Sequence, residues 1–251
     1  MGKLYIVGIG PGSPEQMTGA ARSALEQAEL ICGYTLYIGQ IRPLYPEKEY
    51  YATGMTGEVA RCRECLRQAA ARSCVALVCS GDAGVYGMAG LVLELVLQQP
   101  EDKRPEFGGV IAGVSAVNAA ASVLGAPLMH DFAVISLSDL LTPWETIEKR
   151  IEMAAQGDFV TALYNPKSKK RVENIERVRE IMLQHRKADT PVGIVTAASR
   201  EGEGKIISTL EDFTKQEINM FSLVIIGNSM TYVKDGYMIT PRGYGNKEPG
   251  L

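Results

Sequence analysis

The chain has 251 residues, enough for one large α/β domain or two modest ones. Apolar residues make up 46% and charged residues 22%, so the chain can build a sizeable core and has the composition of a soluble protein. Its 26 basic and 29 acidic residues leave a net charge of −3, which excludes a global attraction to nucleic acid or anionic membranes. No apolar run reaches membrane-spanning length, and residues 1–4 lead directly into a predicted strand, so we expect neither a membrane anchor nor a secretion signal.

The first half of the chain alternates between strand and helix patterns. Strands are predicted at 4–9, 30–32, 74–79 and 109–112, and helices at about 18–28, 36–44, 57–72, 88–98 and 116–124. Residues 125–131, Gly-Ala-Pro-Leu-Met-His-Asp, contain chain breakers and show no periodicity. We therefore predict two domains, 1–124 and 125–251, with the boundary in this segment.

The second half begins with the same alternation and then loses its long helices. Strands are predicted at 132–137, 159–164, 192–196, 205–209, 222–226 and 237–240, and helices at 144–155 and 171–184. Strands without helices between them favour antiparallel pairing. The predicted fold class is therefore α/β, with two α/β domains of which the second has more antiparallel sheet.

Two glycine-rich turns follow strongly apolar strands. The first is Gly8-Ile-Gly-Pro-Gly12 and the second is Gly81-Asp-Ala-Gly-Val-Tyr-Gly87. Glycine lets a ligand lie against the main chain, so the turns suggest a nucleoside-type ligand held by backbone amides and Asp82. They do not form a Rossmann dinucleotide site, because Ser13 replaces the third glycine of that pattern and Pro11 interrupts the turn. The alternative is an ordinary strand-to-helix turn.

The five cysteines predict buried thiols rather than a metal site. Cys62 and Cys65 form a Cys-x-x-Cys, but they lie in an amphipathic helical pattern, and Cys62 falls on its apolar stripe. No second Cys or His pair is present to complete a zinc shell. We predict a reduced, cytoplasmic protein without a metal of its own.

The two turns, in this order, resemble those of the tetrapyrrole (corrin/porphyrin) methylases. Matching stretches extend the resemblance over nearly the whole chain, at 80–90, 135–144, 162–168, 195–200, 225–229 and 240–244. The combination of Ser-Asp-Leu-Leu-Thr-Pro-Trp at 138–144 with Tyr-Asn-Pro-Lys-Ser at 164–168 points to one branch, which methylates C17 and contracts the ring in cobalamin synthesis. Ala83 stands where many family members have proline, a substitution typical of this branch.

The resemblance implies a ligand cleft between the two domains and S-adenosylmethionine (SAM) as methyl donor, with S-adenosylhomocysteine as product. It implies cofactor contacts at Pro11, Gly81, Asp82, Val85, Ser115, Ala116, Tyr164, Asn165 and Ala197. The Asp82 carboxylate could accept from the ammonium group of the methionine moiety. The alternative is an Asx-type turn residue that bonds its own loop, and both roles can coexist.

The implied substrate is a precorrin-3 type macrocycle fringed with carboxylates, either with or without cobalt. Such a polyanion favours local cations. Lys167, Lys169, Lys170 and Arg171 form a cluster after a strand end, and Arg200 follows another strand end. Of these we predict Lys167 and Arg200 as substrate contacts, together with Tyr34. The alternative for the lysine run is a solvated helix start.

Methyl transfer from a sulfonium mainly requires alignment, whereas ring contraction would benefit from an acid-base group. The candidates for that group are His130, Ser138 and Asp139, and the last two could instead cap the next helix. His185 ends a charged helix, where a C-terminal cap is the favoured role. No residue is assigned as catalytic from the sequence.

Three other functions stay open at this point. A sibling enzyme would methylate another ring position, and a non-catalytic protein would bind SAM or tetrapyrrole without turnover. A relative acting on RNA or protein would need an extended basic surface, which the composition does not indicate. The resemblance also implies a homodimer, for which the apolar helix at 88–97 and the strand-rich second half are possible contact surfaces, although either could be plain core.

Overall fold

The computed structural model describes residues 2–168, 171–244 and 247. The chain divides into two compact units, Met1–Ala116 and Val117–Leu251. The division falls at the first residue of the helix Ala116–Leu124, whereas the predicted boundary lies just after this helix. Leu124, at the end of this helix, packs directly on the strand that contains Gly193, in the second unit. A Cβ added to Gly193 would lie 2.4 Å from Leu124 Cδ1. This packing explains why the helix belongs to the second unit.

The first unit is built on a five-stranded parallel sheet. In spatial order its strands are β3 (Glu49–Thr53), β2 (Leu30–Tyr34), β4 (Cys74–Cys79), β1 (Lys3–Gly8) and β5 (Glu106–Ile111). The helices are α1 (Gly19–Gln27), α2 (Thr35–Ile41), α3 (Glu58–Ala69) and α4 (Ala89–Leu97), with 3-10 turns at 14–16 and 101–103. Because all strands run the same way, their carboxyl ends share one edge of the sheet.

Both faces of this sheet are covered, as expected for parallel strands. Leu4 and Ile6 pack with α3 and α4, whereas Val7 packs on the other face with α1 and α2. The helix after β1 and the helix after β4 therefore lie on opposite faces. This makes the carboxyl ends of the adjacent strands β1 and β4 a topological switch point, which is where ligands bind in open α/β sheets.

The prediction of buried thiols is confirmed. All five cysteines are free and buried. Burial raises the pKa of Cys62 to about 12 and that of Cys79 to about 11. Burial also raises the pKa of the Cys65 thiol.

We expect the native protein to resist alkylation because thiolates, not thiols, are the nucleophiles. Iodoacetamide at pH 8, followed by intact-protein mass measurement, should leave the native chain unlabelled and add five groups after unfolding in guanidinium. Rapid labelling of Cys62 or Cys79 in the native state would contradict this account.

The second unit has a mixed five-stranded sheet and a small three-stranded one. The larger sheet has the order β10 (Gly204–Thr209), β9 (Pro191–Thr196), β11 (Ser222–Ile226), β8 (Val160–Tyr164) and β7 (Phe132–Ser136). The smaller one contains β12 (Tyr232–Lys234), β13 (Tyr237–Ile239) and β6 (Gly125–Ala126). The helices are α5 (Ala116–Leu124), α6 (Trp144–Gln156) and α7 (Asn174–Leu183), with a 3-10 turn at 213–215.

In the larger sheet only β7 and β8 pair directly in parallel, and the other ladders are antiparallel. Strand β11 runs antiparallel to both β8 and β9, so β7, β8 and β9 point the same way and end at one edge. Among the residues that the structure describes, no helix is long and apolar enough to cross a membrane.

A buried arginine ties together three parts of the second unit. Arg186 is 8% exposed, and its guanidinium donates to the carbonyl oxygens of Gly227, Ala154 and Phe159 at 2.5 to 3.2 Å. Burial lowers its pKa because the charged form loses water. This residue therefore connects the end of α6, the start of β8 and the end of β11.

Candidate active site

The two glycine-rich turns are joined to each other at the switch point of the first sheet. The Gly10 N–H donates to the Gly81 carbonyl oxygen at 3.1 Å, and the Gly81 N–H donates to the Gly10 carbonyl oxygen at 2.7 Å. Both glycines have positive φ, 79° and 67°, a conformation that disfavours residues with a side chain. The turns thus have a defined structure rather than being flexible connections.

A third loop, after β5, closes against the same point. A Cβ on Gly113 would lie 2.1 Å from the Gly81 carbonyl oxygen and 2.7 Å from the Gly8 carbonyl carbon. The three loops therefore meet backbone to backbone, with no room for a side chain. Pro11, which follows Gly10, is buried beside them. A surface made of main chain at strand ends suits a ligand that bonds to backbone groups.

Asp82 connects two of these loops. Its Oδ1 accepts from the backbone N–H groups of Gly84 and Val85 at 2.8 and 3.1 Å, which is an Asx-type turn. Its Oδ2 accepts from the Gly113 N–H at 2.9 Å. The turn role named as the alternative is thus present, and contact with a ligand ammonium stays a prediction.

The other predicted residues of the first unit lie along the same sheet edge. Ser115 is 8% exposed, and an added Cβ on Gly81 would lie 3.5 Å from the Ala116 nitrogen. Val85 is exposed on the second turn. Tyr34 ends β2 and packs edge-to-face on Tyr37, with ring centroids 5.2 Å apart. The fold therefore places these residues at the carboxyl ends of the strands of the first sheet, and their contacts with a ligand stay a prediction.

In the second unit, Tyr164, Asn165 and Ala197 lie where β8 and β9 end. The Tyr164 hydroxyl accepts from the Val117 N–H at 3.0 Å and so holds the first turn of α5. The Asn165 side chain donates to Ser136 Oγ at 2.9 Å. Asn165 and Ala197 both have positive φ, 51° and 52°. Such a conformation is strained for alanine, and strained backbone often marks functional positions.

The predicted cation cluster is only partly described. Lys167 is half-buried at the same edge, and Lys169 and Lys170 lie outside the described residues. Arg171 is not part of a solvated helix start, because α7 begins at Asn174 and the Arg171 side chain is only 13% exposed. Arg200 is half-buried, and its N–H donates to the Ala197 carbonyl oxygen at 2.9 Å.

Arg171 instead connects the segment that follows β7 to the segment that follows β8. Its guanidinium donates to the Asn165 carbonyl oxygen at 2.9 Å and to Asp139 Oδ1 at 3.5 Å. Asp139 and Ser138 do not cap α6, since Pro143 occupies the N-cap position without a side-chain bond. The Ser138 N–H donates to Ser136 Oγ at 3.2 Å.

The two histidines lie apart from these residues. His130 precedes β7, whereas Ser138 and Asp139 follow it, so the strand separates them by about 16 Å. His130 Nδ1 accepts from the Asp131 N–H at 3.0 Å. His185 does not cap α7, because its Nε2 lies 2.7 Å from Glu152 Oε1 on α6. Within residues 2–168, 171–244 and 247, no group of three His, Cys, Asp or Glu side chains could hold a metal ion.

Known sequences resemble this chain over most of its length. The family described as Tetrapyrrole (Corrin/Porphyrin) Methylases matches residues 3–214. The chain is 50% identical to the "Cobalt-factor III methyltransferase" of Priestia megaterium, covering 98% of the chain but only 46% of that protein. It is also 50% identical to the "Probable cobalt-factor III C(17)-methyltransferase" of Salmonella typhimurium, covering 96% of the chain and 99% of that protein. Identity to the "Precorrin-3B C(17)-methyltransferase" of Sinorhizobium is 38%, over 97% of both chains.

Two solved structures resemble the fold along most of its length. The crystal structure of the methyltransferase CobJ matches with a TM-score of 0.90 and 34% identity, covering 96% of this chain and all of that chain. The uroporphyrin-III C-methyltransferase of Thermus thermophilus, solved with S-adenosylhomocysteine, matches with a TM-score of 0.71 and 25% identity. The match covers 90% of this chain and 97% of that one.

Proposed function

The chain belongs to the tetrapyrrole methylase family, and we propose that it transfers a methyl group from SAM to C17 of cobalt-factor III in cobalamin biosynthesis. The observation that carries this proposal is the 50% identity to the Priestia and Salmonella proteins. The match covers 99% of the length of the Salmonella protein. The chain spans about half of the Priestia protein, so any activity of that protein's remaining part is not included in the proposal.

The residues at the first sheet edge fit SAM. The close contact between Gly8, Gly81 and Gly113 forms a surface of main chain that suits a nucleoside-type ligand, and the Asp82 carboxylate connects two of the loops. A bound sulfonium supplies an already activated methyl group, so these residues need only align donor and acceptor. The residues that we assign as cofactor contacts are Pro11, Gly81, Asp82, Val85, Ser115, Ala116, Tyr164, Asn165 and Ala197.

For the carboxylates of the macrocycle we retain Lys167 and Arg200 as contacts, and Tyr34 from the first unit. Arg171 is not retained as a direct contact, because its side chain is only 13% exposed and its guanidinium bonds Asp139 and the Asn165 carbonyl oxygen. We propose that C17 methylation is coupled to ring contraction. Ser138 remains a candidate for the acid-base step, whereas Asp139 is paired with Arg171 and His130 lies at the opposite end of β7.

The identities favour a cobalt-containing substrate over precorrin-3B, since the cobalt-factor III relatives of Priestia and Salmonella are 50% identical and the precorrin-3B relative of Sinorhizobium is 38% identical. Parallel assays with SAM and each substrate test this choice. We expect one methyl transferred to cobalt-factor III at a kcat/KM at least tenfold above that for precorrin-3B. A preference for precorrin-3B would reverse the assignment. Binding of SAM without transfer to either would support the non-catalytic alternative.

Replacing Asp82 by alanine should weaken SAM binding about 10- to 100-fold. The change leaves three backbone N–H groups without an acceptor, at a cost of roughly 1–3 kcal/mol, and removes the proposed partner of the ammonium group. Calorimetric titration with S-adenosylhomocysteine measures the effect. Asp212→Ala, which removes an exposed carboxylate paired with Lys215, is the control and should bind normally. Equal affinities of the two variants for S-adenosylhomocysteine would show that Asp82 does not contribute to cofactor binding.

We further propose a homodimer in the reducing cytoplasm. The predicted α4 surface does not support a dimer, because Ala89, Val92 and Leu95 are buried in the core of the first unit. The β12–β13 hairpin supports it better, since β12 is an edge strand and Tyr232, Val233 and Tyr237 are 44–56% exposed. Sedimentation velocity at micromolar concentration tests this, and a single species of monomer mass would exclude it.

A further inference from the structure

Two adjacent leucines are exposed beyond the carboxyl end of β7. Leu140 is 83% exposed and Leu141 is 98% exposed, the two highest values for large apolar side chains in the described part of the chain. A single exposed leucine is ordinary on a protein surface. Two neighbouring leucines at the sheet edge that carries Asn165 and Lys167 form an apolar ridge in a place where ligand contacts are expected.

The ridge is firmly anchored on both sides. Before it, Leu137 is fully buried, its N–H donates to the Tyr164 carbonyl oxygen at 2.9 Å, and Asn174 donates to its carbonyl oxygen at 3.3 Å. After it, Pro143 begins α6, where its carbonyl oxygen accepts from the Thr146 N–H at 3.0 Å. The leucines are therefore exposed on a short, doubly fixed segment rather than on a loose loop.

The Arg171 contact holds this segment to the neighbouring strand end. Arg171 bonds both Asp139, next to the ridge, and the carbonyl oxygen of Asn165, which follows β8. The half-buried Lys167 follows two residues after Asn165. The edge thus combines an apolar ridge with a cation, which matches a flat macrocycle that has an apolar ring face and a rim of carboxylates.

We infer that Leu140 and Leu141 form a platform for the ring face of the tetrapyrrole substrate, and that Arg171 and Asp139 are positioning residues that hold the platform. This inference rests on the proposed function. It assigns Asp139 a structural task in substrate binding instead of an acid-base task. It also gives a role to the Ser-Asp-Leu-Leu-Thr-Pro-Trp segment at 138–144.

The test replaces both leucines by serine and measures four quantities: KM for cobalt-factor III, kcat, the affinity for S-adenosylhomocysteine and the melting temperature. Loss of two leucine contacts should raise KM about 30-fold or more, with cofactor affinity and melting temperature unchanged. Leu97→Ser is the matched control, because Leu97 is a 63% exposed leucine at the end of α4 in the first unit. It should leave all four quantities at wild-type values.

Two outcomes would overturn the inference while leaving the proposed function standing. One is a KM within twofold of wild type in the double variant, with the oligomeric state unchanged. The other is a change from dimer to monomer in sedimentation with KM unaltered, which would show that the ridge contacts a second copy of the chain. Absence of turnover and of tetrapyrrole binding in the wild-type protein would instead overturn the proposed function, and this inference with it.

The positioning role of Asp139 is tested separately, by comparing the effects of substitutions on KM and on kcat. Asp139→Ala should raise KM about tenfold with kcat within twofold of wild type, and Asp139→Glu should restore most of the lost affinity by accepting again from Arg171. A fall in kcat at constant KM would show that Asp139 acts in the chemical step and would overturn its assignment as a positioning residue.

Discussion

Gly113→Ala is expected to abolish SAM binding, with at least a 100-fold loss of affinity for S-adenosylhomocysteine. The new Cβ would lie 2.1 Å from the Gly81 carbonyl oxygen and 2.7 Å from the Gly8 carbonyl carbon. These are backbone atoms, which cannot rotate away as a side chain can. The loops after β1 and β4 would have to separate, and the Asp82 bond to the Gly113 N–H would be lost with them.

The control for this variant is Gly90→Ala. Gly90 lies in α4, and nothing lies within 4 Å of a Cβ added there. Alanine should bind the cofactor normally and stabilise the helix by about 0.5–1 kcal/mol. Calorimetric titration and thermal unfolding of both variants separate loss of the site from loss of the fold. Normal cofactor affinity in Gly113→Ala would contradict the role given to the glycine contact.

Arg186→Met is expected to destabilise the second unit by about 3 kcal/mol or more. The substitution leaves the carbonyl oxygens of Gly227, Ala154 and Phe159 without their charged donor in a buried place. For a unit of this size the melting temperature should fall by roughly 10 °C. Differential scanning calorimetry and urea unfolding measure the change.

Arg177→Met is the matched comparison, because Arg177 has two ion pairs but its side chain is 47% exposed. Exposed ion pairs contribute about 0–1 kcal/mol, so this variant should stay within 1 kcal/mol of wild type. The buried arginine that bonds three carbonyl oxygens is thus expected to contribute more stability than the exposed arginine that has two ion pairs. Equal losses for the two variants would contradict the argument from burial.

Most strands could be predicted from their apolar runs, whereas the exposed strands β3 and β12 were not predicted. Strand β4 is a continuous apolar run, and its prediction at 74–79 is confirmed to the residue. Strand β3 was not predicted, since it is an edge strand with mixed exposure and no clear alternation. The β12–β13 hairpin had a usable signal in Asp235-Gly236, which have φ of 51° and 76° and form its two-residue turn.

The candidate site was predictable where it depends on strand ends. The turns at Gly10 and Gly81 follow apolar runs, so their meeting at one sheet edge follows from parallel pairing. The bond from Asp82 to Gly113 and the contacts of Arg171 and Arg186 join residues far apart in the chain. The pattern of residues within a short stretch of sequence does not indicate which distant residues such side chains will contact.

The position of the transferred methyl group tests the central claim most directly. The protein would be incubated with cobalt-factor III and SAM labelled with ¹³C in the methyl group, and the product examined by NMR and mass spectrometry. We predict a single labelled methyl at C17 of a ring-contracted macrocycle. A label at another carbon, or an unlabelled macrocycle from protein that binds SAM, would contradict the proposed function.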